Sequence, residues 1–384
     1  MEKLGDDVLY NILARLPGKA LLRSRCVSKH WNTLISYPCF MKMRSRRMIL
    51  LPISRPLAVL DDNVPVIDKA NSIVRIRSPL DQQRRQGIHV SSSIVGTLKQ
   101  TNGIVILALT DAKLLQCQLV LYNPLTCVSK ALVVMDIPPS WNRLKVWSPY
   151  LFGFGDDKIV RFDCWNHSNR SMYTWDVFDL KTGSCSGRTR YLRKKDLHFS
   201  AEDAGMFVDG FLYWAVSDDD GVFGTILALD VKEMVFSRIK LPVRLKHCAG
   251  PLLGSKDDDN GCRRLCMVTT IDHIIFDLWV MRRRKEDEGA SVWSKAHSLT
   301  LPFPVHNYPN PFHPICILRS GKILFTNTGM HLLMYDISKD SYERLLTLGV
   351  TIDGFEQASS LCGFIDVRSI EYVESLVSPF DLLF

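Results

Sequence analysis

The residues of this chain that could do chemistry fall into a few groups, and none of the groups assembles a reaction centre. Gly183-Ser-Cys-Ser-Gly187 has the outline of a nucleophile elbow with Cys185 as the attacking thiol. That chemistry needs a strand feeding straight into a helix. Here Arg188-Thr-Arg-Tyr-Leu192 follows and reads as another strand, so a hairpin turn is expected. His247, Cys248, Cys262, Cys266 and His273 suggest zinc, but Cys262-x-x-x-Cys266 is half a hook without a second pair at a usual spacing. Asp218-Asp-Asp-Gly221 and Asp257-Asp-Asp-Asn-Gly261 do not alternate ligands with other residues as a calcium loop does, and read as hairpin loops. No metal, cofactor or catalytic residue is expected. Arg44, Arg46 and Arg47, and Arg282-Arg-Arg-Lys285, could serve nuclear import, but Glu286-Asp-Glu288 half neutralises the second, which reads as an exposed charged loop.

The distribution of charge says more than the motifs. The first 50 residues carry ten Lys/Arg against three acidic residues, which is nearly the whole +8 of the 384-residue chain. The rest is close to neutral, whereas a general nucleic-acid surface would spread basic residues over the main body. A basic head alone implies an acidic partner for the head. The longest apolar runs, Ile104–Leu109 among them, are strand-sized and far short of a membrane span. Eleven cysteines, an odd number without a regular spacing, fit a reducing compartment. With no signal-peptide core behind Met1, the expectation is cytoplasm, nucleus or both.

Two periodicities divide the chain. Val8, Leu9, Ile12, Leu13 and Leu16 recur at helical spacing, with Asp6 and Asp7 at the favoured end and Pro17 as the stop. A second helix is predicted over about Ala20–Val27, and a third from an N-cap at Ser28 to Ile35. Three short helices hold too little core to stand alone. After Arg47 short strand-like runs alternate with turns. Taking Asn123, Asp179, Asp230, Val280 and Asp336 as equivalent gives spacings of 56, 51, 50 and 56 residues. A period near 50 with about four strands is the mark of a propeller blade. Arg47–Ile76 and Gly363–Val377 are leftover strand-like pieces that together could make a composite closing blade. About six blades are expected, with five or seven also compatible. The fold class is mainly β, three helices followed by a propeller, with domains at 1–45 and 46–384.

The head resembles the F-box. Asp7-Val-Leu-Tyr-Asn-Ile-Leu-Ala-Arg-Leu-Pro17 is similar to its first helix, and Arg25-Cys-Val-Ser-Lys-His-Trp31 with Leu34-Ile-Ser-Tyr-Pro-Cys-Phe40 is similar to the plant branch. Leu4-Gly5 departs from the usual Leu-Pro opening. The body resembles the plant F-box-associated, kelch-like domain at Val208-Asp-Gly-Phe-Leu-Tyr-Trp-Ala215, Ile226–Pro242 and Tyr372–Ser378. The resemblance implies a substrate-recognition subunit of a Skp–cullin–F-box ubiquitin ligase. It would bind a Skp-family adaptor, and through it cullin and a RING subunit, and would hold a protein target for ubiquitination and proteasomal degradation. It implies a receptor and not an enzyme; a scaffold outside any ligase, or a propeller enzyme, are the alternatives.

Adaptor contacts are expected from Leu4, Val8, Leu9, Ile12, Leu13, Leu16, Pro17, Leu21, Leu22, Val27, Trp31, Leu34 and Ile35, about half of which must be the head's own core. Leu13→Asp is expected to abolish adaptor binding and leave the body folded. For the target, the inter-blade segments Pro138–Tyr150 and Pro302–Pro314 offer Trp141, Trp147, Tyr150, Tyr308 and Phe312, because interface anchors favour large aromatics. Neither nucleic acid nor a membrane is expected as a partner.

Overall fold

A computed structural model shows the change from helix to strand where the periodicity changes. It describes residues 5–37, 39–40, 47–52, 57–61, 74–76, 90–97, 103–111, 116–136, 150–167, 170–185, 190–193, 198–199, 204–218, 220–245, 251–258, 260–270, 274–283, 291–301, 312–327, 331–347 and 370–382. Helix α1 (Asp6–Arg15) opens with its two aspartates in the first turn and ends before Pro17. Helix α2 (Gly18–Ser24) begins two residues earlier than predicted, because Pro17 serves as its N-cap. Helix α3 (Lys29–Ser36) is capped as predicted: Ser28 Oγ accepts from the Trp31 N–H at 3.1 Å.

The strands form six antiparallel sheets. The chain first lays down β1 (Arg47–Pro52), β2 (Leu57–Asp61) and β3 (Val74–Ile76). Five sheets then follow, each from one continuous stretch. Sheet one is β4 (Val90–Thr97), β5 (Val105–Asp111), β6 (Gln116–Asn123) and β7 (Val128–Asp136). Sheet two is β8 (Tyr150–Gly155), β9 (Lys158–His167) and β10 (Arg170–Asp179), with its outer strand in two pieces, β11 (Ser184–Cys185) and β12 (Arg190–Arg193). Sheet three has its inner strand in two pieces, β13 (His198–Phe199) and β14 (Met206–Val208), then β15 (Phe211–Ser217), β16 (Phe223–Asp230) and β17 (Val235–Leu245). Sheet four is β18 (Leu252–Asp257), β19 (Arg263–Thr270), β20 (Ile275–Arg283) and β21 (Ser291–Thr300). Sheet five is β22 (Phe312–Ile317), β23 (Lys322–Asn327), β24 (His331–Asp336) and β25 (Ser341–Thr347).

The closing sheet joins both ends of the body, as the leftover pieces suggested. Strand β26 (Ile370–Val373) pairs antiparallel with β1, Arg47 facing Val373 and Leu50 facing Ile370. Glu371 on β26 ties this sheet to sheet five, accepting the Arg319 N–H at 2.9 Å, and lies 3.7 Å from Arg47 within its own sheet.

Burial on both faces of each sheet explains the unbroken apolar runs. Along β5 and the residue before it, Ile104, Ile106 and Ala108 pack toward sheet two, while Val105, Leu107 and Leu109 pack toward the closing sheet. Trp214 does the same work between sheets two and three. It is fully buried, stands edge-on to Phe162 with centroids 5.0 Å apart, and donates from Nε1 to the Phe152 carbonyl at 3.3 Å. Gly153 and Gly205 leave the space it fills, since a Cβ on either would meet the indole at 2.5 to 2.6 Å.

The repeat has a physical basis in one turn. Asn123, Asp179, Asp230 and Asp336 each end the third strand of their sheet, and each side-chain oxygen accepts a backbone N–H two residues on, at 2.8 to 3.0 Å. Four residues on, Cys127, Gly183, Met234 and Asp340 all take positive φ, from 47° to 64°. The expected equivalence of Val280 fails. Val280 lies mid-strand opposite Cys266 and Ser294, and β20 runs on to Arg283. Asp277, within the same strand, binds Lys295 and Ser298 of the neighbouring β21.

Candidate functional site

The three helices build a small core and leave a rim beside it. Leu9, Leu13, Leu21, Ile35 and Phe40 are buried together, and Tyr10 meets Phe40 edge-on with centroids 4.8 Å apart. Burial, then the hydrogen bond to Cys39 Sγ, pushes the Tyr10 phenol up to about 12, so it remains a donor at neutral pH. On α1 the next row over faces outward: Val8 is 51% and Ile12 48% exposed. Val27, in the turn after α2, is 63% exposed and Tyr37, at the end of α3, 60%. Four of the ten large exposed apolar side chains found among the described residues thus fall in this short head, and clustered exposed apolar side chains are the kind of surface that interaction sites present. Arg15, Lys19, Arg23 and Lys29 lie exposed on the same three helices. Asp6 is engaged by His30 at 2.9 Å, which ties the start of α3 to the start of α1.

The thirteen expected adaptor contacts therefore separate by burial. Leu9, Leu13, Leu21 and Ile35 are core; Leu16, Leu22, Trp31 and Leu34 are half-buried; Val8, Ile12, Pro17 and Val27 are exposed. Leu4 lies outside the described residues. Leu13 is fully buried, so Leu13→Asp, expected to abolish adaptor binding, would act through the fold of the head and not at its surface. The charge would enter the head's own core, because α1 presents the Leu9–Leu13 row inward and the Val8–Ile12 row outward.

The head is also seated on the body. In a strand-by-strand antiparallel sheet, the first-to-second and third-to-fourth turns share one face of the ring. Leu125, in the turn after β6, and Glu374, just after β26, sit on that face and pack against Gly18 at the start of α2; a Cβ there would meet the Glu374 carboxylate at 2.5 Å. Leu376 packs against the core of the three helices. The links between one sheet and the next leave from the opposite face. The expected target-facing segments are two of these links. Trp141, Trp147 and Tyr308 lie outside the described residues, and Tyr150 opens β8. Phe312 is corrected: it opens β22 with its ring buried between sheets four and five, where it is a packing residue.

The residues with chemical potential read as structure. Gly183 supplies the positive φ of a hairpin, and Ser184–Cys185 pair with Phe178–Asp179 as a strand. Burial, then Asp176, pushes the Cys185 thiol up, the reverse of an activated nucleophile. Cys266 is wholly buried and its thiol is pushed up to about 12, which disfavours the thiolate that zinc needs. Asp218 and Asp258 spend their carboxylates on their own turns, accepting from Val222 and Cys262 N–H groups at 2.8 Å. Tyr335 donates to Asp340 and lies 2.6 Å from His297 Nε2, bridging sheets four and five. Among the described residues no cluster of three metal-binding side chains occurs, and no helix is long and apolar enough to cross a membrane.

Comparison with known proteins gives two family matches. Residues 1–43 match the F-box domain and residues 41–379 match the F-box associated beta propeller domain. An F-box/kelch-repeat protein of Arabidopsis thaliana is 23% identical over 79% of this chain and 77% of its own length. An F-box protein of the same plant is 22% identical over 97% and 90%. Among solved structures, a hypothetical selenium-binding protein from Sulfolobus tokodaii is similar at a TM-score of 0.40, with 13% identity and coverage of 78% of this chain and 73% of that one.

Proposed function

This chain belongs to the F-box associated beta propeller family, and we infer that it works as the substrate receptor of a Skp–cullin–F-box ubiquitin ligase. One observation carries the reading. The head fills its own core and still holds Val8, Ile12 and Val27 in water, flanked by exposed basic side chains. An apolar row rimmed by positive charge suits the acidic Skp-family adaptor that an F-box implies, which in turn would recruit cullin and the RING subunit. The propeller would hold a target protein. The chain would add no covalent chemistry. It would raise the effective concentration of a target lysine at the ubiquitin carrier, ahead of proteasomal degradation. Eight free cysteines among the described residues, three of them buried, accord with cytoplasm or nucleus.

The test is Val8→Asp with Ile12→Asp in the full chain, offered to a purified Skp-family adaptor. Adaptor binding should fall by at least a hundredfold while the helical signal of the head is kept. Undiminished binding would refute the assignment.

A further inference from the structure

The third-to-fourth turn of sheet one differs from its counterparts by a single atom type. In sheets two, three and five the turn residue is aspartate; in sheet one it is Asn123. Its Oδ1 does what each aspartate does, accepting from Leu125 N–H at 2.9 Å and Thr126 N–H at 3.2 Å. The other end of the amide has a second task. Nδ2 donates to the Ser375 carbonyl at 2.9 Å and to the Val377 carbonyl at 2.8 Å, and the whole side chain is buried. An aspartate there would retain the turn but set a carboxylate against two carbonyl oxygens.

The segment so held is the chain that follows β26. Residues 374–382 leave the closing sheet, cross beneath sheet one, and are gripped along their length. Lys130 Nζ donates to the Leu382 carbonyl at 3.2 Å, and the Leu382 side chain packs on the core between sheets one and two. On the same segment Leu376, half-buried, packs against the core of the three helices, and Glu374 flanks Gly18 of α2. One short segment therefore touches the closing sheet, sheet one and the head.

We propose that Asn123 and residues 374–382 form a clasp that fixes the orientation of the head on the propeller. Asn123 is its positioning residue and Leu376 its contact with the head. The geometric claim stands on the contacts above; its use, setting the distance from a bound target to the ubiquitin carrier, rests on the receptor reading. A ligase that works by proximity gains from a rigid path between its two binding surfaces, since a loose joint spreads the target over many positions.

The experiment compares the full chain with Asn123→Asp and with Leu376→Ala, each alone and with a purified Skp-family adaptor, by amide hydrogen exchange and small-angle scattering. Asp179→Asn is the control at the matching turn of sheet two. Both variants should exchange at least tenfold faster at residues 374–382 and in α2, and should give a larger maximum dimension in complex. Their affinity for the adaptor should stay within about threefold, because neither residue is on the exposed row. Unchanged exchange in both variants would overturn the clasp, and so would collapse of the whole propeller in Leu376→Ala, which would make the residue ordinary core. A wild-type chain that ignores the adaptor would sink the receptor reading and leave the exchange result to judge the clasp.

Discussion

The head and the ring bury the same kinds of side chain by different means. In the ring, each sheet is covered on both faces by its neighbours, so alternate residues of β5 or β15 serve two interfaces at once. Among the described residues the inner strands find their cover within the chain, and the period of the sequence is the period of that cover. In the head, the helices meet on one side only. Leu9 and Leu13 are enclosed, whereas Val8 and Ile12, one position away, remain in water. A residue's type predicts that it will be covered; only the three-dimensional arrangement says by whom. The difference separates what this chain needs in order to fold from what it offers to others.

Substitutions can break that contrast. The largest effect is expected from Leu13→Asp, which places a charge where no solvent reaches; the penalty should exceed about 4 kcal/mol, more than so small a core can absorb. Amide exchange should show α1 to α3 unprotected while the sheets keep their protection. Ile12→Asp, its outward neighbour, should change helix stability by no more than about 0.5 kcal/mol and yet abolish adaptor capture. If Leu13→Asp leaves the head protected, the division into two rows is wrong. In the ring, Gly153→Val should cost about 1–3 kcal/mol in a denaturant titration, because the added carbons meet the Trp214 indole. An unaltered midpoint would show that Trp214 has room to move.

Smaller effects sharpen the account of the repeating turn. Gly183→Val puts a β-branched residue at a φ of 64° in open space, so backbone strain acts alone and should cost about 1–2 kcal/mol. A pH dependence is expected from Asp336, whose carboxyl is held below the usual range first by the Ser338 hydroxyl and also by the Ser338 N–H. A folded-state value below the unfolded one means the contribution is full above the unfolded value, near 4, and is lost as acid takes pH down through the folded one. Asp336→Asn keeps an acceptor without a charge and should flatten that part of the stability curve. An equally steep acid limb in the variant would assign the dependence elsewhere.

Much of this was legible in order of residues. Ser28 announced its cap because a hydroxyl followed by a helical run satisfies a local need. The turn residues at 123, 179, 230 and 336 announced the period because each closes a hairpin within five residues. The composite closing sheet could be inferred from strand-like pieces without a blade of their own. What escaped was nonlocal. Val280 holds the same place in the run Phe276–Met281 as the turn residues hold in theirs, and only the pairing with Ser294 shows the strand continuing. Phe312 seemed a surface aromatic because prolines surround it, but its ring fills a gap between two sheets formed by distant residues. For the same reason nothing near Leu376 in the chain hints that it belongs to the helices some 340 positions earlier.

The pairing of β1 with β26 has a consequence for how the molecule is made. The ribosome releases Arg47–Pro52 long before Ile370–Val373, so while the five sheets between them are made one edge of β1 has no native neighbour. The ring cannot lock until Ile370–Val373 have emerged, and a product stopped short of residue 370 would expose that edge for good. Termination before residue 370 should therefore yield an aggregating fragment and not a smaller closed ring.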